Sequence, residues 1–352
     1  MLSSSVEIDY DWVSRAEYWR GQAANSIKPR GRRERRKEPL ILGGHGVSLR
    51  VDGGALVVRE GRTHYPQEPK TQRFFRGDLA LPPRIILLGG SGSISFDVLD
   101  WLGAQHLPLI RLSLDGSEIN VFGGGGFAAD TVKVMWQEAT RADPKRRLDF
   151  STKLIRDKLA SSIITLDGWL PPSKMRDSAR RKAEQSIAKI DRDPPRDLTA
   201  LRLMEATNAS AYFAAWRAIQ IRWIGTDRKP IPDDWRSFTS RTSLANNGKL
   251  LNVNASHPIN AMLNLAYAVL EGNLKLQVIS GSYDPAIGVM HHGRRGKAAF
   301  VFDLMEPERP KVDAGILALL AANPLAASDI VIRSDGVVRL TPRMAARVAA
   351  AV

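Results

Sequence analysis

The sequence predicts an α+β protein: a β-rich N-terminal domain followed by a mostly α-helical domain. Three observations predict it. From Leu40 to about Phe122, short apolar runs are punctuated by glycine-bearing turns. Beyond that stretch, apolar residues recur at spacings of three and four, the period of a helix with one buried face. Between the two textures lie four consecutive glycines, Gly123 to Gly126, a composition suited to a hinge. The expected division is a basic arm at 1–39, a β-rich domain at 40–122, a glycine hinge at 123–127 and a helical domain at 128–352. A chain of 352 residues with 43% hydrophobic residues is long enough for two such cores.

The arm ends in Lys28-Pro29-Arg30-Gly31-Arg32-Arg33-Glu34-Arg35-Arg36-Lys37, which is too charged to form a core. It is either a solvated, partly disordered extension or a phosphate-contacting arm in which Arg32, Arg33, Arg35 and Arg36 bind DNA. Val47–Val51 and Ala55–Val58 flank Asp52-Gly53-Gly54, the signature of a hairpin. Arg84–Leu88 predicts a buried strand that runs into a tight turn at Gly89-Gly90-Ser91-Gly92-Ser93. That turn has neither the Lys-Ser/Thr of a phosphate loop nor dinucleotide-fold glycine spacing, so it is not a nucleotide site. Phe96–Leu102 predicts a short amphipathic helix and Leu107–Leu112 the next strand. Helices are expected at 131–138, 150–166, 173–189, 198–224, 258–271 and 314–322, with Ser256 capping the fifth and Pro258 in its first turn. No internal repeat is present.

Net charge is +14 with an isoelectric point near 10.2. Such an excess of Lys and Arg points to a polyanionic partner, nucleic acid before membrane. No apolar stretch approaches the roughly 18 residues a spanning helix needs, and the longest, Ile316–Ala327, is broken by Asn323-Pro324. Glu7, Asp9 and Asp11 occupy the place of a secretory apolar region. The default expectation is a soluble cytoplasmic protein. The chain has no cysteine, which excludes a thiolate zinc centre.

The densest chemistry lies in Ser282–Pro310, SYDPAIGVMHHGRRGKAAFVFDLMEPERP. His291 precedes two carboxylates, Asp303 and Glu306, across an apolar run at Ala298–Phe302 that is expected to form a buried strand. Pro307 disfavours helical backbone at Glu306, so a turn is expected there. An imidazole with two hard oxygen donors suits Mn²⁺ or Mg²⁺, which can neutralise charge on a phosphoryl oxygen. The competing reading is a structural acid pair bonded to Arg309 or Lys311. Arg294, Arg295 and Lys297 are either a solvated loop tip or a phosphate clamp. Asn260, Asn264 and Tyr267 share a helix face that either meets solvent or bonds a neighbouring site.

Four segments resemble the CRISPR-associated integrase family of spacer acquisition, the larger protein of the adaptation complex ("Cas-one"). Asp284–His291 is similar to its DPxxGxxH element and Phe302–Pro310 to its DLMExxRP element. His257–Asn264 is similar to its NPxNAxLN helix, and Leu201–Ala206, followed by Tyr212 and Phe213, to the helix bearing its glutamate. The likeness runs from about Leu40 to near the C-terminus. His257 stands in place of an Asn, Glu308 in place of an aromatic, and the arm has no counterpart in the family pattern.

This resemblance implies metal ligands at Glu205, His291 and Glu306, with Asp303 as a fourth catalytic position in a helical catalytic domain. Periodicity alone assigns Glu205 no such part, because a glutamate at the start of a helix ordinarily answers the helix dipole. The resemblance also implies a homodimer, the small ferredoxin-like partner "Cas-two", double-stranded DNA as substrate and Mg²⁺ or Mn²⁺ as cofactor. The expected activity is metal-dependent endonuclease and integrase chemistry that joins short DNA fragments into a CRISPR array. A transposon-encoded integrase of the same fold, a non-catalytic DNA scaffold and a phosphohydrolase of small nucleotides are the rivals.

Overall fold

The computed structural model of the chain describes residues 12–26, 36–62, 69–113, 119–123, 129–241, 243–246, 249–291 and 298–352. Arg32, Arg33, Arg35, Arg294, Arg295, Lys297 and most of the glycine hinge lie outside the described residues. Arg36 lies within them, paired with Glu38 at 3.8 Å. Helix α1 (Trp12–Ser26) precedes the sheet and leaves Val13, Tyr18 and Trp19 exposed.

The N-terminal part is a β-rich lobe, as expected. Strands β1 (Leu40–Asp52), β2 (Ala55–Arg59), β3 (Thr71–Phe74), β4 (Ile85–Ile94), then, after α2 (Phe96–Ala104), β5 (Leu109–Leu112) and β6 (Ile119–Phe122), form one mixed sheet. Its spatial order is β3-β2-β1-β4-β5-β6. The β1–β2 hairpin turns on Gly53 and Gly54, both at positive φ. Strands β1, β4 and β5 run parallel, and α2 supplies the crossover from β4 to β5.

The segment read as a tight turn at 89–93 is instead the continuation of β4. Its glycines answer a close approach between backbones: a Cβ at Gly90 would lie 1.9 Å from the carbonyl oxygen of Gly44. The β1–β4 ladder shifts register here, so glycine marks a bulged crossing and not a chain reversal.

One sheet face buries Leu42, Leu49, Val58 and Ile85 against Val98, Trp101 and Leu102 of α2. The other face, through Ile86, Leu88, Ile110 and Leu112, joins a larger core with the helices that follow. These are α3 (Thr131–Ala142), α4 (Pro144–Trp169), α5 (Lys174–Arg192), α6 (Leu198–Ala215), α7 (Pro258–Ser280), α8 (Ala299–Ala322) and α9 (Pro342–Ala350). Asp143 caps α4 with bonds from Lys145 N and Arg146 N, and Asp197 caps α6 from Ala200 N.

Four local expectations are corrected. Helix α6 ends at Ala215, where a single 3₁₀ turn, Trp216–Ala218, follows it and not further α-helix. Helix α7 runs on to Ser280, well past residue 271. Its cap is His257, whose ring nitrogen accepts from Ile259 N at 3.2 Å, and not Ser256. Burial lowers the His257 pKa, which favours the uncharged ring that can accept this bond in the capping place of an asparagine. Finally, the expected strand at 298–302 opens α8, and Glu306 lies within that helix and not in a turn.

A five-residue apolar run fits a buried strand and a buried helix equally well, and here tertiary packing decides. Helix α8 carries Pro307 and Pro310 internally, and Thr165 of α4 donates to the Pro310 carbonyl at 2.7 Å. Among the described residues, no helix is long and apolar enough to cross a membrane.

Candidate active site

The loop before α8 is held by polar groups from three helices. Gln137 of α3 donates to the carbonyls of Asp284 and Ile287 at 2.9 and 3.1 Å. Arg147 of α4 donates to the carbonyls of Val289 and Met290 at 2.8 and 3.2 Å. From α8, Asp303 accepts the backbone N–H groups of Val289, Met290 and His291 at 2.6, 3.0 and 2.8 Å. Its Oδ1 also lies 2.8 Å from Nδ1 of His291.

Asp303 is fully buried, and these bonds occupy its carboxylate. Its oxygens are therefore engaged by the loop backbone and the His291 ring. Bonding at Nδ1 fixes that nitrogen as the protonated one and turns the Nε2 lone pair outward, the arrangement a metal-ligating histidine requires.

Gly288 lets this loop close on α8. A Cβ there would lie 2.6 Å from the carbonyl oxygen of His291 and 2.7 Å from Cβ of Ala299. Gly288→Ala is expected to cost about 1–3 kcal/mol through overpacking, read as a lower midpoint in urea denaturation with His291 displaced. An unchanged midpoint contradicts the tight contact.

One turn beyond Asp303, Glu306 points to the same side of α8. Its side chain is 6% exposed and accepts from Lys158 Nζ of α4 at 2.6 Å, with Arg309 Nε 3.5 Å from its other oxygen. Burial alone would raise the Glu306 pKa, but Arg309 and Lys158, with a smaller contribution from His291, outweigh it and hold the carboxyl below its ordinary value. The same Lys158 ammonium bonds Glu205. Glu205 lies in the middle of α6, so it is not a partner of the helix N-terminus.

Of the residues singled out in the sequence, Glu205 and Glu306 meet at Lys158, His291 and Asp303 bond each other, and His291 is near enough to Glu306 to help lower its pKa. Arg309 joins them through Glu306, whereas Lys311 pairs with Glu308 at 2.6 Å. Lys158 was missed. Its signal was a cation on the face of α4 that also carries Leu154, Ile155, Leu159 and Ser162.

The helix face of Asn260, Asn264 and Tyr267 bonds neighbours, with Asn260 buried and the other two half-buried. Asn260 donates to the Ser240 carbonyl at 3.1 Å, and Asn264 accepts from Arg241 at 3.1 Å. Tyr267 and Tyr212 both donate to the buried Asp313, at 2.6 and 3.0 Å. The guanidinium groups of Arg241 and Arg309 lie 5.5 and 5.2 Å from the Tyr267 ring centre.

Burial pushes the Asp313 carboxyl up from 3.8 to about 6, against the tyrosine bonds that favour its charged form. A carboxyl raised on folding contributes fully below its unfolded pKa, and the contribution is lost as pH rises through about 6. Wild type should therefore lose unfolding free energy relative to Asp313→Asn between about pH 4 and about pH 7. Urea denaturation of both proteins checks this, and a pH-independent difference contradicts it.

The donor set supports a divalent cation in chemistry. Two carboxylates converge on one positive centre, and an imidazole nitrogen is freed by its bond to Asp303. Among the described residues, however, no three His, Asp or Glu groups are placed closely enough to enclose an ion. The Lys158 ammonium takes the position between the two glutamates.

The profile of the family described as "CRISPR associated protein Cas1" matches residues 40–352. The chain belongs to the Cas1 family. The match opens at the first residue of β1, so α1 and the basic cluster precede it. Among its relatives, "CRISPR-associated endonuclease Cas1 2" of Pyrobaculum aerophilum is 26% identical over 284 residues, covering 80% of this chain and 82% of that one. In fold the chain is similar to a casposase bound to integration product, with a TM-score of 0.68, 21% identity and coverage of 88% of this chain and 80% of that one. It is also similar to a chain of a "Cas6-RT-Cas1--Cas2 complex", with a TM-score of 0.59, 16% identity and coverage of 90% and 32%.

Proposed function

We propose that this Cas1 chain is a divalent-metal-dependent DNA endonuclease and integrase that joins short DNA fragments into a CRISPR array. The observation that carries the reading is the convergence of Glu205 and Glu306 on one cationic centre beside a histidine oriented by a buried aspartate. Mg²⁺ or Mn²⁺ held by Glu205, Glu306 and Nε2 of His291 would neutralise charge on the scissile phosphoryl group. Asp303 keeps the imidazole in the ligating tautomer throughout.

The reaction is an in-line exchange. The 3′-hydroxyl oxygen of the incoming fragment forms a bond to phosphorus and gives up its proton. The bond to the 3′-oxygen of the target strand breaks, and that oxygen leaves with the electron pair and is protonated. Arg294, Arg295 and Lys297 follow shortly after His291 in the chain and supply phosphate contacts in this reading, as do Arg32, Arg33, Arg35 and Arg36 of the arm. A net charge of +14 favours duplex DNA as the ligand. In this reading the protein works in the cytoplasm as a homodimer, and a Cas2 partner is supported by the likeness to a chain of a Cas6-RT-Cas1--Cas2 complex.

Incubation with Mg²⁺ or Mn²⁺, supercoiled plasmid and short duplexes bearing free 3′-hydroxyls should give joined product, and chelation should abolish it. Metal-independent DNA binding with neither nicking nor joining would leave only a scaffold. The likeness to a casposase favours a second reading, a transposon-encoded integrase. Terminal inverted repeats around the gene, with no repeat–spacer array, would select it.

A further inference from the structure

Lys158 is partly buried on α4, with a side chain 17% exposed, and its ammonium is shared by the carboxylates of Glu205 and Glu306. Two carboxylates brought together in a largely enclosed place repel unless a cation lies between them. Lys158 supplies that cation from within the chain. A divalent ion held by the same two groups would meet its positive charge at close range.

The surroundings offer the lysine somewhere else to go. Lys158 borders a cavity of about 260 Å³ that is also lined by Glu205, Asn208, Tyr212, Arg241 and Asp313. Asn208 lies one turn beyond Glu205 on α6 and is buried. Its Nδ2 donates to the Met204 carbonyl at 2.8 Å and to Ser186 Oγ at 2.9 Å, which fixes the orientation of the amide. Its Oδ1 is buried without a hydrogen-bond partner. An unsatisfied buried acceptor is costly and calls for an explanation. A cationic side chain that leaves the glutamate pair and stays in the cavity provides one.

We propose that Lys158 is an internal placeholder for the divalent ion: it holds Glu205 and Glu306 together, and withdraws toward Asn208 Oδ1 when the ion binds. The proposal rests on the metal-site reading above and adds a competitor to it. Lys158 then preassembles the acidic pair and at the same time sets a threshold on metal affinity. A fixed second-layer hydrogen-bond donor would do the opposite, since its removal would loosen the ligands and weaken binding.

The test is Mn²⁺ titration of the full-length protein, with free Mn²⁺ read by electron paramagnetic resonance. The proteins compared are wild type, Glu205→Gln, Lys158→Met, Asn208→Leu and the Lys158→Met/Asn208→Leu pair. Lys158→Met should bind Mn²⁺ about tenfold more tightly than wild type, equal to about 1.4 kcal/mol, and should melt at a lower temperature when metal is withheld. Asn208→Leu should weaken binding in the wild-type background and lose that effect in the Lys158→Met background, the coupling a displaced ammonium requires. Should Lys158→Met not fold, Lys158→Gln, which is neutral and still able to donate, is expected to shift the affinity in the same direction.

Equal or weaker Mn²⁺ binding by the neutral variants overturns the placeholder while leaving the metal site standing. An Asn208→Leu effect that persists without Lys158 also overturns it. If wild type binds Mn²⁺ no better than Glu205→Gln, the metal-site reading falls and the proposal falls with it.

Discussion

Glu205→Ala is expected to abolish strand joining while leaving both the fold and DNA affinity in place. Glu205 is partly exposed, with 25% of its side chain accessible, and Lys158 keeps Glu306 as a partner after the change. Its loss therefore removes one carboxylate of the proposed metal site without stranding a buried charge. Metal-assisted phosphoryl chemistry draws several kcal/mol of transition-state stabilisation from correct ligation, so the rate should fall about 1000-fold or more. Fluorescence anisotropy with a labelled duplex should show near-wild-type binding, because phosphate contacts come from Lys and Arg. Thermal melting should move by no more than a few degrees. Unchanged joining by this variant would remove Glu205 from the mechanism.

Asp303→Ala is expected to fail differently, by losing stability and chemistry together. The substitution strands three buried backbone N–H groups and releases the His291 ring. Removing one partner from a buried charged network typically costs about 3–5 kcal/mol, because the groups left behind cannot reach water. Urea denaturation should show that loss directly, and joining should be lost even where the protein remains folded. Asp303→Asn provides the finer comparison. It keeps the volume but presents an N–H₂ group to a site built of donors, so it should also destabilise and misassign the histidine tautomer. An Asp303→Ala protein with wild-type stability would contradict the positioning role. The contrast between a stable, inactive Glu205 variant and an unstable, inactive Asp303 variant separates ligation from support.

The local elements most legible in the sequence are those with their own chemistry. Asp52-Gly53-Gly54 marks a hairpin because both glycines take positive φ, and Pro258 opens α7 at the position where a proline loses nothing. His291, Asp303 and Glu306 are legible as an imidazole and two carboxylates around one apolar run, whereas Glu205 comes into view only through the family resemblance. That backbone N–H groups fill the Asp303 carboxylate depends on how the loop folds onto α8, which no motif spells out.

What was illegible depends on long-range packing. The opening turn of α8 is five apolar residues ahead of two prolines, and local preference there points away from helix. Contact with α4 and α7 reverses that preference. The glycines of β4 mimic a turn for a related reason, since a close backbone crossing and a chain reversal both demand the missing Cβ. Lys158 lies about 50 residues from one glutamate and about 150 from the other, a separation no local pattern spans.

A crystal soaked in Mn²⁺ tests the central claim most directly, through the anomalous signal of the ion. The account predicts a peak within about 2.5 Å of Glu205 and Glu306 oxygens and Nε2 of His291, with Nδ1 still on Asp303. A peak elsewhere, or an ion bound without His291, would contradict it.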